Sequence, residues 1–177
     1  MKKTLLIFSC LAVSVTSLSW ANNFYIAPAI VGQHVSATQS GFTGAHLSLA
    51  FGHGKFLNQT YYLGEELFVN TSNIPSANIY PYSAANTRIT EGVGASILPG
   101  IFIEDHYLGY LRLGVVGSRF PGPNKTLVGG QVGLGFQTKL TSSLDLRGEY
   151  TYSYYQQTAA LGNPQSNELG LGLMYYI

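Results

Sequence analysis

Cysteine is almost missing from this chain. Its 177 residues include one, Cys10, and that one falls in a stretch expected to be removed. The mature protein is therefore expected to use no disulfide and no thiol chemistry. Charge is scarce as well. Only 10% of residues are charged, against about 25% in ordinary soluble domains. With a net charge of +1 and no basic cluster, nucleic acid is excluded as an implied partner. Long apolar runs are also lacking. Beyond the N-terminus, no run of about 18 apolar residues can form a membrane helix, and mean hydropathy is only +0.14. What is abundant instead is glycine and tyrosine, 21 and 13 residues. Low charge without apolar runs is what a membrane β-barrel needs, because its alternating strands average out in hydropathy.

The N-terminus reads as an address. Met1-Lys2-Lys3 is a basic start, Thr4 to Val15 is a short apolar segment, and Ser19-Trp20-Ala21 offers small residues to a signal peptidase. Cleavage is expected after Ala21, giving a signal peptide of residues 1–21 and a single domain of residues 22–177. The apolar run is too short for an anchor helix. The segment before Cys10 is likewise too brief for a lipoprotein signal. Cleavage removes Cys10, the single Trp20, and Lys2 and Lys3, and so takes the net charge from +1 to −1.

Period-two alternation then marks the strands. The first, Phe24 to Val31, has an unclear face, and Pro28 lacks a ladder donor. Residues 32–43, rich in Gly, Ser and Thr, read as a loop. The second strand sets Ala45, Leu47, Leu49 and Phe51 against His46, Ser48, Ala50 and Gly52, and His53 to Gln59 reads as a connection. The third, Tyr61 to Asn70, would push Glu65 into lipid if alternation were strict. A β-bulge at Glu65-Glu66 is expected to turn both carboxylates inward. Residues 71–87 carry Ile74, Ile79, Tyr80 and Tyr82 among Pro, Ser and Asn, and read as a surface loop. Four further strands follow the same pattern, and the eighth ends in Leu169-Gly-Leu-Gly-Leu-Met-Tyr-Tyr-Ile177.

Two regularities go beyond the count. Connections are expected to be long after strands one, three, five and seven and short after two, four and six. That is the asymmetry of short periplasmic turns and longer outer loops. The polar face gathers Glu66, Arg112, Arg147 and Glu149, with Gln131 and Gln137 nearby, while the apolar face is nearly uncharged. A soluble sandwich would show the reverse. The expected fold is all-β, an eight-stranded antiparallel transmembrane barrel, polar inside and apolar outside.

These residues resemble the small outer-membrane β-barrels, the OmpA-like and OmpX-like transmembrane domains. The resemblance rests on the exported N-terminus, the Gly-rich hairpin Val128 to Phe136, and Tyr110-Leu-Arg-Leu-Gly114. Arg147-Gly-Glu-Tyr150 and the aromatic-rich C-terminus complete it. It covers residues 22–177 and implies a Gram-negative outer-membrane protein without a peptidoglycan-binding module. It also implies surroundings of outer-membrane lipid and lipopolysaccharide, and a barrel-assembly machinery that reads the last strand. Gly172, Tyr175 and Ile177 fit that signal's spacing, although the family usually ends in Phe.

For function, an eight-stranded barrel is just wide enough to be filled by side chains. Glu66, Arg112, Gln131, Arg147 and Glu149 are therefore expected to form a buried polar network in a sealed lumen. The outer loop with Ile74, Ile79, Tyr80 and Tyr82 is the candidate surface for a host or envelope protein. Envelope structure with surface interaction is the reading, for a monomer without cofactor or catalysis. A narrow channel is the alternative. An enzyme acting on lipid A is a weaker one: His46, Ser48 and Glu66 share a face, but that face is the lumen, and lipid lies outside. His34, His53 and His106 stand alone, without metal-ligand spacing. Tyr61, Tyr107 and Tyr175 are expected at the periplasmic interface, and Tyr80, Tyr82, Tyr154 and Tyr155 at the outer one.

Overall fold

The computed structural model describes residues 23–37, 40–71, 74–75, 89–103, 106–121, 124–159 and 161–177. The expected signal peptide lies outside them. Eight long strands form one antiparallel sheet that closes on itself: β1 Asn23–Ala37, β2 Ser40–Phe56, β3 Tyr61–Asn70, β4 Glu91–Ile103, β5 Tyr107–Phe120, β6 Lys125–Lys139, β7 Leu144–Tyr155 and β8 Gln165–Tyr176. A two-residue strand, Ile74–Pro75, adds to β2 through Gly44 and Ala45. Each long strand pairs with its neighbours in sequence. Closure comes from β1 against β8, from Tyr25↔Tyr176 to Ser36↔Gln165. A closed sheet has no unpaired edge, so every backbone group of a spanning strand can find a partner.

Alternation holds around the whole ring. Leu47, Leu67, Val93, Leu113, Leu134 and Leu171 are among the exposed apolar residues, whereas Glu66, Arg112 and Arg147 are buried. Both prolines inside long strands leave a mark. The β1–β8 ladder runs from Ile26↔Tyr175 to Ala29↔Gly172 without the pairs at Ala27 and Pro28. The β4–β5 ladder skips Leu98 and Pro99 between Ile97↔Leu113 and Gly100↔Tyr110. Register is unchanged across each gap, so a proline costs local hydrogen bonds but does not shift the strand.

Several expectations need correction. Residues 32–37 and 40–43 are strand, not loop: β1 and β2 stay paired up to Ala37↔Ser40. Strand residues projecting beyond the membrane need no apolar face, so their Gly, Ser and Thr content does not end the ladder. The long outer connections are those after β3 and β7, while only residues 121–124 join β5 to β6. At the other end β2 runs on to Phe56, and the turn is confined to residues 57–60. There Asn58 Oδ1 accepts from the backbone N–H of Thr60 and Tyr61 at 2.8 and 2.7 Å.

The bulge at Glu65-Glu66 is absent. Pairing is regular on both sides, His53↔Glu65 and Gly52↔Glu66 across to β2, Glu65↔Ile97 and Glu66↔Ser96 across to β4. Glu65 therefore faces outward, beside His53, whose ring packs on Phe24 at 4.9 Å. It is the fifth of the ten residues of β3, and an outward Asp or Glu costs less than an outward Arg or Lys at the same depth. Tyr155 is a second correction. It is 1% exposed and points into the barrel, packing edge-on against Phe120, whereas Tyr154 is exposed. Tyr61, Tyr107 and Tyr175 are exposed near the periplasmic end. Tyr80 and Tyr82 lie outside the described residues.

Candidate functional site

The lumen is the candidate site, and its centre is built from four charged side chains on three strands. Glu66 of β3 receives both arginines. One guanidinium nitrogen of Arg112 (β5), Nη2, donates to Glu66 Oε1, and Arg147 Nη1 (β7) donates to Oε2 at 2.6 Å. Glu149 is the second acceptor, with Arg112 Nε 2.8 Å from its Oε1. Hydroxyls fill further valences. Tyr25 donates to Glu66 Oε2 at 3.1 Å, Tyr110 to Glu149 Oε2 at 2.6 Å, and Thr151 to Glu149 Oε1 at 3.3 Å. Arg112 Nη1 donates to Ser96 at 2.9 Å. The guanidinium planes also lie near ring faces, Arg112 at 5.4 Å from Phe68 and Arg147 at 5.1 Å from Tyr110. Two anions and two cations cancel, which is how charges tolerate burial in low dielectric.

Glycine makes room for this layer. Glu66 lies across from Gly52, Arg112 from Gly133, Arg147 from Gly172, and Glu149 from both Gly135 and Gly170. The tyrosines use the same device. A Cβ at Gly52 would stand 2.1 Å from Tyr25 Cζ, and one at Gly135 would stand 2.0 Å from Tyr110 Cζ. Those rings lie flat over glycines on the next strand and so reach the acids at the centre.

Gln131 does not join the charge network. Its Nε2 donates to Ser153 at 3.3 Å, on the outer side of the charged layer. Gln137 lies on the opposite, periplasmic side. Its Nε2 donates to Asp145 Oδ2 at 2.5 Å and to the Tyr176 hydroxyl at 2.8 Å. Between the charges and the outer mouth a cavity of about 60 Å³ is lined by His46, Ser48, Glu66, Gln131 and Glu168, among others. His46, Ser48 and Glu66 thus do share a space. But both oxygens of Glu66 are held by arginines, so it is not free to orient a histidine.

Two parts of the lumen escaped the sequence reading. Toward the outer mouth Val35, Phe42, Val116, Phe120, Leu127 and Tyr155 pack into an apolar cap, joined by Ile89 and Leu161 from the connections. Beside it Glu168 accepts from Gln33 Nε2 and, at 3.1 Å, from the Ser166 hydroxyl. Inward parity was the available signal for Phe42, Phe120 and Tyr155. No local pattern marks Ile89 or Leu161, which are placed by long-range packing.

The remaining candidates are spread out. Ile74 belongs to the two-residue strand beside β2, while Ile79, Tyr80 and Tyr82 lie outside the described residues. Gly172 faces the lumen, where a Cβ would meet the Pro28 carbonyl oxygen at 2.7 Å. Tyr175 and Ile177 face outward, 54% and 73% exposed, and the Ile177 amide donates to the Phe24 carbonyl at 2.9 Å.

No protein-family model matches the chain, and a comparison with curated proteins finds no match. Solved structures do match. Neisserial surface protein A superposes with a TM-score of 0.60 at 18% identity, covering 87% of this chain and 97% of that one. Ail, the attachment invasion locus protein of Yersinia pestis, gives 0.57 at 11% identity, covering 89% and 100%. At such identities the likeness speaks for the fold. The chain has the fold of the small outer-membrane barrels of Gram-negative bacteria, closed, antiparallel and eight-stranded.

Proposed function

We propose that this protein is a sealed, non-catalytic outer-membrane barrel that stabilises the envelope and presents its outer connections as an interaction surface. The observation that carries this reading is the double filling of the lumen. A charge-paired layer and an apolar cap both lie across the path a solute would take. With the interior occupied, the surface left for a partner is the outer end. The connection after β3 carries Ile74, Ile79, Tyr80 and Tyr82 among Pro and Asn, side chains suited to recognising a protein surface. One solved relative is named a surface protein and the other an attachment invasion locus protein, which favours attachment to a host or envelope protein. In the membrane the partners are lipid and lipopolysaccharide. The last strand, with Gly172, Tyr175 and Ile177, is the segment an assembly machinery would read, and the barrel acts as a monomer without cofactor.

The test is deletion of residues 77–86 in the full-length protein expressed on cells. Binding to host cells should fall to background while the purified barrel keeps its heat-modifiable mobility. Unchanged binding would remove the loop from the account. The lipid A enzyme reading is tested by His46→Ala, whose lipid A mass spectrum should match wild type.

A further inference from the structure

The lipid-facing surface is apolar almost everywhere, and its exceptions are not scattered. Among the described strand residues of outward parity, the charged ones are the Glu91–Arg119 pair at the outer rim and, toward the other end, Lys55 and Glu65 on neighbouring strands. His53 joins the second group. It faces Glu65 directly across the β2–β3 ladder, while Lys55 faces Leu63, one outward row nearer the turn. Lys55 and Glu65 are therefore diagonal neighbours, about 7–8 Å apart.

Their level follows from register. His53 is the fourteenth of the seventeen residues of β2, and its partner on the other side, Phe24, is the second of the fifteen of β1. A tilted strand gains about 2.5 Å of height per residue. Lys55 thus stands about 5 Å above the turn of residues 57–60, and Glu65 about 10 Å above the exposed ring of Tyr61. On an apolar band about 25 Å tall, all three polar side chains lie in the periplasmic leaflet. The strands on either side add no charge to this face: β1 brings Phe24 and Ile26, and β4 brings Ile97, Pro99 and Ile101. Elsewhere around the barrel, the periplasmic halves of β5, β6 and β8 turn Leu111, Phe136 and Leu173 to the lipid. The patch is one-sided, neutral in sum, and charged at each end.

An ion pair between Lys55 and Glu65 alone would use each charge once, and such pairs at a surface are worth little. A ligand with an anionic and a cationic end offers each of them a further partner. We propose that this patch binds the headgroup of a periplasmic-leaflet phospholipid of the ethanolamine class, which joins a phosphate to a primary ammonium by a short two-carbon link. The phosphate accepts from Lys55, and the ammonium donates to Glu65. The acyl chains run up over Phe51 and Leu67, the next outward row, which are 50% and 62% exposed. A choline headgroup keeps the charge but has no N–H, and a glycerol headgroup keeps the phosphate but has no cation. Both bind more weakly. The patch lies at the opposite end of the barrel from the outer connections, so it is independent of the outer-loop reading.

The experiment is a titration of the folded protein, in micelles of an uncharged maltoside detergent, with dihexanoyl phosphatidylethanolamine, followed by NMR. The expected result is saturable shifts at His53, Lys55, Glu65 and Leu67. Phosphatidylcholine and phosphatidylglycerol of the same chain length should bind about fivefold more weakly. Soluble phosphoethanolamine should not saturate over the same range, because it lacks the chains. Lys55→Gln should weaken binding of all three lipids. Glu65→Gln should abolish the preference for ethanolamine and leave phosphatidylglycerol unchanged. Neither side chain is buried, so both variants are expected to fold. Equal affinity of the wild type for the three lipids, saturation by soluble phosphoethanolamine, or a preference that survives Glu65→Gln would overturn the proposal.

Discussion

The middle and the outer part of this lumen solve the same packing problem in opposite ways. The middle is ionic. Glu66, Arg112, Arg147 and Glu149 each hold at least one of the others, and Glu66 holds both arginines at once. The outer part is apolar, with Val35, Phe42, Phe120 and Tyr155 each no more than 2% exposed. Directional bonds make the first layer specific and intolerant of losing a member. Dispersion and burial make the second layer additive and forgiving of swaps that keep volume. The barrel thus places its specificity where charges meet and its bulk seal where rings pack.

The sharpest way to break this contrast is Glu66→Ala. It strands two buried guanidinium groups and should destabilise the barrel by about 3–5 kcal/mol, read from urea unfolding in lipid vesicles. In a cycle with Arg147→Ala the two changes should be strongly non-additive, with a coupling of about 0.5–3 kcal/mol. Additive losses would mean that the layer is not a network.

Gly135→Ala should come next, at about 1–3 kcal/mol. The new Cβ falls on the Tyr110 ring, and moving that ring also breaks its bond to Glu149. Tyr110→Ala in the same background should recover folding yield, because it removes the clash. No recovery would place the strain elsewhere.

The smallest effect is expected in the cap. Phe120→Leu should cost on the order of 1 kcal/mol and add simply to changes at Phe42. A loss as large as that of Glu66→Ala would erase the distinction between the layers.

Much of this was legible in the residues, because a barrel strand has one rule. Side-chain parity assigns each residue to lipid or lumen, and Glu66, Arg112, Arg147 and Glu149 share the inward parity. Their convergence then follows from a lumen only a few side chains wide. Parity does not give height along the barrel. Gln131 and Gln137 share the inward parity, yet one sits above the charges and the other below. Glu65 was misread because one strand read alone shows neither that its ladders run unbroken on both sides nor that its outward neighbour is His53. The hairpin over residues 32–43 was missed because strand ends outside the lipid can be polar on both faces. The pairing of inward tyrosines with glycines is a register effect, visible only once Tyr25 is set opposite Gly52 and Tyr110 opposite Gly135.

The central claim is that the lumen is closed twice, and planar-bilayer conductance of the purified barrel tests it most directly. Wild type should show no discrete conductance steps. Opening one layer, by Glu66→Ala with Arg147→Ala or by Phe42→Ala with Phe120→Ala, should leave it closed. All four changes together should produce steady single-channel currents. Currents from the wild type, or equal currents from the charge-layer variant alone and the fourfold variant, would contradict the account.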